Sequence, residues 1–310
     1  MKGMTTAGMN REIMEKLQSI VDSSRVYTDA HMDKYTSFRA GGRAAVLVEP
    51  ESAEELKQIL RMLDEAECPH MVLGNGSNVL VKDSGYDGVI VRIGKAFSSI
   101  RIDGEHVVCG SGALMSAVAK AALDESLTGF EFASGIPGSI GGAVFMNAGA
   151  YGGEIKDILD DVRLVSADGT RDFCMSAEDL KMGYRHSLIQ ETGDIVVEAR
   201  LRLARGDMDA IREEMAELTS RRNSKQPVQY PSAGSTFKRP EGHFAGKLIQ
   251  DAGCKGLQIG GAQVSELHSG FIINKDNATA TDILQLMEVV AAKVYNDFGV
   301  QLEPEVRIIG

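Results

Sequence analysis

The 310-residue sequence predicts a layered protein of the α/β or α+β kind, long enough for about two domains. Three observations lead there. Helical and strand-like patterns alternate through the first half of the chain. Hairpin-like alternation replaces them from Asp161, and long helices follow beyond Gly206. Glycine is in excess, 34 residues or about 11% against a usual 7%, with only 7 prolines. That balance points to tight turns and close backbone approach rather than to disorder.

Element by element, Asn10 to Val21 reads as a helix with Ile13, Leu17 and Ile20 on one stripe. Ala45 to Val48 is a short buried strand. Ser52 and Glu55 form a capping box for a second helix carrying Leu56, Ile59, Leu60 and Leu63. Met71 to Leu73 is strand-like and runs into a glycine turn. Val89 to Ile93, Ser99 to Ile102 and His106 to Cys109 are further strands, and Ala113 to Leu123 is a helix. Val162 to Ser166 and Arg171 to Met175 alternate about an Asp168-Gly169 turn, which predicts a hairpin. Asp194 to Leu203 is a longer strand. Asp207 to Arg222 is an amphipathic helix with Ile211, Met215 and Leu218 inward, so a boundary is placed near Gly206. Strands follow around Gln263 and over Phe271 to Asn274, then a helix from Thr281 to Phe298 capped by Gly299. Val306 to Ile309 is too apolar for a tail and should dock in a sheet.

Charge and composition remove several functions. Asp plus Glu is 44 and Lys plus Arg is 33, a net charge of −11, which argues against a nucleic-acid partner. No apolar run of membrane-spanning length occurs, and Met1 to Asn10 lacks a secretory h-region, so a cytoplasmic protein is expected. Cys68, Cys109, Cys174 and Cys254 form no CxxC pair, and the six histidines show no short-range metal spacing. Reduced structural thiols and no metal are the expectation.

Two glycine-rich segments remain: Gly74-Asn75-Gly76-Ser77-Asn78, and Gly135-Ile136-Pro137-Gly138-Ser139-Ile140-Gly141-Gly142 followed by Asn147-Ala148-Gly149. Glycines without Cβ let successive backbone N–H groups converge on an oxyanion, and Ser or Asn side chains add donors, which suits a pyrophosphate. Neither segment is the G-x-G-x-x-G fingerprint, since Val79 stands where the third glycine belongs. Gly242 to Lys247 is one residue short of a P-loop, and no G-x-S-x-G elbow occurs.

With these segments, Thr36-Ser37-Phe38-Arg39-Ala40-Gly41-Gly42, Gly183-Tyr184-Arg185-His186-Ser187, Ser232-Ala233-Gly234-Ser235-Thr236-Phe237-Lys238 and Leu302-Glu303-Pro304-Glu305-Val306 occur in one order. The set resembles the UDP-N-acetylenolpyruvoylglucosamine reductase family from about residue 30 to the C-terminus. The resemblance implies an α+β fold: a two-part FAD-binding region of the vanillyl-alcohol-oxidase-like type over residues 1–205, divided near residue 95, and a smaller substrate domain over 206–298. Residues 299–310 would return to the active centre. It also implies non-covalent FAD, NADPH as reductant, and UDP-N-acetylglucosamine enolpyruvate as substrate, with hydride reaching the vinyl carbon by way of the flavin. A monomer is expected.

By the same resemblance, Arg185 polarises the substrate carboxylate, for which a guanidinium fork is suited. Ser235 protonates the carbon beside it, and Glu305 serves the same centre, either protonated or orienting a donor. Lys225 would contact the substrate's phosphates. Arg39 and the two glycine segments would lie along FAD, with Ile195 on a strand touching the isoalloxazine. Taken singly, Arg185 and Glu305 read as surface charges and Ser235 as a turn or cap residue. The insertion by which some members present a tyrosine to the diphosphate is missing, since only Leu188 to Gly193 follows the Tyr-Arg motif before the next strand. Another FAD-dependent oxidase or dehydrogenase of this fold, or a non-catalytic sugar-nucleotide binder, are the alternatives. An oxidase has no use for a carboxylate clamp beside a proton donor.

Overall fold

The structure, a computed structural model, describes residues 6–310, with side chains from Arg11 onward. The first half of the Met1 to Asn10 stretch, read above for a secretory leader, lies outside the described residues. The chain folds as two compact units, each drawn from three stretches of sequence. One takes residues up to Thr28 with Val46–Asn75 and Gly88–Ser220, and the other takes Asp29–Ala45, Gly76–Asp87 and Arg221–Gly310. A linear division into 1–205, 206–298 and 299–310 does not express this interleaving.

The first unit holds an antiparallel five-stranded sheet in the order Asp172–Ser176, Leu159–Val165, Ile195–Arg202, His106–Gly110 and Ile100–Asp103. Alternate side chains go to opposite faces, and a bulge in the central strand, where Val196 faces Leu164 but Glu198 faces Arg163, shifts the alternation by one residue. Val196, Ala199 and Leu201 meet Met115, Val118 and Ala122 of helix Met115–Asp124 and Val144 of helix Ile140–Met146. Ile195 and Val197 point into the other core, with Ile13, Leu17 and the stripe Leu56, Ile59, Leu60 and Leu63. All four of those stripe residues are fully buried on helix Ala53–Glu65, each worth about 1.5–3 kcal/mol of burial.

The expected capping box at that helix is only half formed. Ser52 Oγ accepts from Glu55 N–H at 3.2 Å. The Glu55 carboxylate, however, takes both prongs of Arg25, at 2.6 and 3.0 Å, and the Glu51 N–H at 2.7 Å. The carboxylate is thus turned to the charged guanidinium fork and to the N–H one residue ahead of the cap.

The second unit is built on helix Ala280–Phe298 and a sheet of Gln258–Ile259, Ala262–Val264 and Ile272–Asn274. Thr279 and Asp282 complete a full capping box, and Gly299, at φ +67°, closes the far end. Asp83 adds to this cap from another stretch of the unit, accepting from the N–H groups of Ala280 and Thr281 at 2.9 and 2.8 Å. The C-terminal strand does dock: Arg307–Ile309 pairs in parallel with Val79–Val81, a three-residue strand that directly follows the first glycine segment. Phe38, Leu80, Phe237, Leu286, Val290 and Val306 share one core.

Among the described residues no helix is long and apolar enough to cross a membrane. All four cysteines are free, and the three buried ones fall in three separate cores: Cys109 on a strand of the five-stranded sheet, facing one core, Cys68 in the core on its other face, and Cys254 in the second unit.

Candidate active site

Within the first unit the two glycine segments meet. A Cβ on Gly74 would stand 2.7 Å from the Ser139 hydroxyl. Ser139 is buried and stands at the N-cap of helix Ile140–Met146, which runs through the second half of the glycine-rich segment. This loop is pinned to a third small-residue stretch that sequence reading did not single out, Gly110-Ser111-Gly112. Ile140 and Gly141 donate to the carbonyls of Ala113 and Ser111 at 2.9 and 2.8 Å, and Met115 donates to that of Gly138 at 3.0 Å. A Cβ on Gly141 would press on Ser111 Cβ at 2.9 Å. Only the G-S-G triplet itself signalled this wall in the sequence.

Asn147, Ala148 and Gly149 follow at the end of that helix. Asn147, wholly buried, ends the helix in the left-handed region at φ +42°. Its amide donates to Glu154 Oε2 and to the Gly183 carbonyl, at 3.0 and 2.9 Å, and its oxygen accepts from Lys156 N–H at 3.0 Å. Gly149–Ala150 pairs with Gly153–Glu154. The Asn147 side chain thus serves protein partners. The Ile195 side chain belongs to a core, on a strand position paired with Val165.

Arg185 sits at the tip of a tight turn closed by reciprocal bonds between Gly183 and His186, at 3.0 and 3.2 Å. Its φ is +55°, and its Cζ lies 5.3 Å from the exposed Tyr184 ring. The nearby Glu154 carboxyl is held below its usual range, first by the Lys156 ammonium, then by the Asn147 amide and the Arg185 charge, with burial opposing.

The second unit gathers the remaining motifs. Glu305 N–H donates to the Thr236 carbonyl at 2.9 Å, and Lys238 N–H to that of Glu303 at 2.8 Å, so the Ser235 and Glu305 motifs run side by side. Asn78 Nδ2 reaches the Glu305 carbonyl at 3.1 Å. Ser37 N–H donates to the Gly76 carbonyl at 3.0 Å, and its hydroxyl to the Ser232 carbonyl at 2.6 Å. Arg39 is exposed on this loop at φ +52°. Its carbonyl and that of Phe38 accept from buried Asn274, at 3.3 and 3.0 Å, a positioning residue no motif announced. Lys225 is exposed at the last residue of helix Met208–Lys225, where a cation also suits the helix dipole. Arg185 therefore belongs to one unit and Ser235 with Glu305 to the other.

The residues present fit a dinucleotide cofactor. Within the first unit, Gly74 and Gly141 each stand where a Cβ would press on a neighbouring segment, and Ser139, which Gly74 meets, is set at a helix start. Glycine-lined walls on a layered scaffold define the class, a flavoprotein with an FAD-binding domain, and residues 44–172 match the family described as FAD binding domain.

Residues 226–309 match the C-terminal domain of UDP-N-acetylenolpyruvoylglucosamine reductase. The reductase of Alkaliphilus oremlandii is 48% identical over 95% of this chain and 96% of its own. That of Geobacillus thermodenitrificans is 49% identical over 96% and 97%. The crystal structure of the Thermus caldophilus enzyme superposes with a TM-score of 0.79 at 36% identity, covering 91% of this chain and 98% of that one. The chain belongs to the UDP-N-acetylenolpyruvoylglucosamine reductase family, and it adopts the expected α+β fold with an FAD-binding domain.

Proposed function

We propose that the protein reduces UDP-N-acetylglucosamine enolpyruvate to UDP-N-acetylmuramate, using FAD and NADPH, in the supply of peptidoglycan precursors. The observation that carries this reading is the near-complete overlap with reductases at 48% identity, joined to the backbone ladder that sets the Ser235 and Glu305 motifs together. FAD, when bound, supplies the hydride carrier between NADPH and the vinyl group. The chain's own residues do the rest.

Hydride arriving at the terminal methylene leaves an electron pair on the neighbouring carbon, delocalised into its carboxylate. Arg185, permanently charged, holds that carboxylate and stabilises the growing charge. Ser235 Oγ–H gives its proton to the same carbon and completes the saturated lactyl ether. Glu305 serves beside it, protonated or orienting the donor, because a bare carboxylate there would repel the substrate's own. Lys225 contacts the phosphates, and the enzyme works in the cytoplasm as a monomer.

Ser235→Ala tests the assignment. Flavin reduction by NADPH should stay within about twofold of wild type, since no carbon is protonated there. Reoxidation by the enolpyruvyl substrate should slow by about two orders of magnitude, as for a lost general acid. Equal slowing of both half-reactions in stopped-flow would make Ser235 structural and overturn the reading.

A further inference from the structure

We propose that Gln190 is a positioning residue for Arg185: together with Asn147 it clamps the Tyr184–Arg185 turn onto the C-terminal end of helix Ile140–Met146. The proposal rests on the reading of Arg185 as the carboxylate-binding group and adds what holds it there.

Arg185 adopts a left-handed φ of +55°, a conformation that costs an L-residue free energy and that an unsupported turn would leave. Two side-chain amides oppose that relaxation by gripping the carbonyls on either side of Tyr184. Gln190 Nε2 donates to the Arg185 carbonyl at 3.0 Å, and Asn147 Nδ2 to that of Gly183 at 2.9 Å. The same Gln190 nitrogen donates to the Phe145 carbonyl at 2.6 Å, where Ser187 Oγ also donates, at 2.7 Å. Phe145 is in the last turn of its seven-residue helix, where carbonyls lack intrahelical partners.

The clamp is rigid at both ends. Asn147 is fully buried, and Gln190 rides on the short helix Ile189–Thr192, anchored in the core by Ile189. The far end of helix Ile140–Met146 begins in the glycine segment. One short helix thus fixes the glycine wall at its start and the arginine turn at its end. The chemistry also selects the residue type. Both bonds from Gln190 run to carbonyls, so a glutamate there would lose both donors and set a charge against two oxygens.

The test is a double-mutant cycle on the FAD-loaded enzyme. In Gln190→Ala, FAD content and flavin reduction by NADPH should match wild type, while reoxidation by the enolpyruvyl substrate slows about tenfold, in line with a displaced binding group. Gln190→Met, which keeps the shape and removes the donors, should behave alike and decides the matter if the alanine variant loses FAD. In an Arg185→Lys background the same substitutions should change reoxidation by less than about twofold, because the group they position is already gone. A full tenfold loss in both backgrounds, or loss of FAD in Gln190→Met, would overturn the positioning role. Unchanged reoxidation in Arg185→Lys alone would overturn the functional reading of Arg185 and this proposal with it.

Discussion

Gly76→Ala separates a glycine required by backbone approach from one that merely sits in a loop. Gly76 has φ +64°, which alanine adopts only with strain. A Cβ there would overlap the Tyr35 carbonyl oxygen and come within 3.0 Å of its carbon and 3.1 Å of Thr36 Cα. All three are main-chain atoms, so no side-chain rotation relieves the overlap, and the oxygen must withdraw by more than about 1 Å to reach van der Waals distance. The withdrawal would move the loop that carries Arg39, because Ser37 N–H is bonded to the Gly76 carbonyl. A misplacement of that size in a binding constellation is worth about a hundredfold, so FAD affinity should fall by about two orders of magnitude, about 2.7 kcal/mol. Gly74→Ala is the control. Its Cβ would meet only the Ser139 hydroxyl, at 2.7 Å, which can rotate away, and the expected loss is under about tenfold. Flavin-fluorescence titration of the apoproteins, with melting curves to confirm folding, reads both. A folded Gly76→Ala that binds FAD like wild type would refute the reasoning, as would a Gly74→Ala that is the more damaged of the two.

Asp83→Asn should lower stability by about 1–2 kcal/mol near neutral pH, the usual worth of a helix cap. Burial pushes the Asp83 carboxyl up, but the bonds from Thr281 and Ala280 outweigh it and hold the carboxyl below its ordinary range. A depressed carboxylate contributes stability above its unfolded value and loses it as pH falls through the folded one, so the melting-temperature gap between wild type and variant should narrow as acidification passes below the ordinary aspartate range. A gap unchanged from pH 7 to 3 would refute the capping role. Neither glycine segment contains a histidine or cysteine to form a flavin bond, so acid or heat denaturation should release all yellow colour to the supernatant. Colour retained in the pellet would contradict that.

What the sequence made legible followed from how local each determinant is. Helix Ala280–Phe298 was readable because its stripe and its glycine stop lie within the helix or next to it. The Ser52 cap was readable, but the fate of Glu55 was not, because its partner Arg25 is thirty residues upstream. The strand Val79–Val81 is three residues long, too short for a period, and its partner strand Arg307–Ile309 lies at the other end of the sequence. The interleaving of the two units escaped for the same reason, since nothing within Asp29–Ala45 or Gly76–Asp87 marks which core it joins. In the site, the motif residues were legible through their resemblance as a set. Asn274, Gln190 and the Gly110-Ser111-Gly112 wall act on backbone brought close only by folding, and no spacing rule announces them.

The distribution of the thiols turns the protein into its own unfolding reporter. Cys109, pushed up to about 12 by burial, cannot form thiolate at neutral pH while its core is closed. Cys68 and Cys254 are likewise buried, each in a different core, and Cys174 is exposed. Brief alkylation of the native protein should therefore modify Cys174 first. Under rising denaturant, peptide-resolved labelling of the other three would time the opening of each hydrophobic cluster separately, without a single engineered probe.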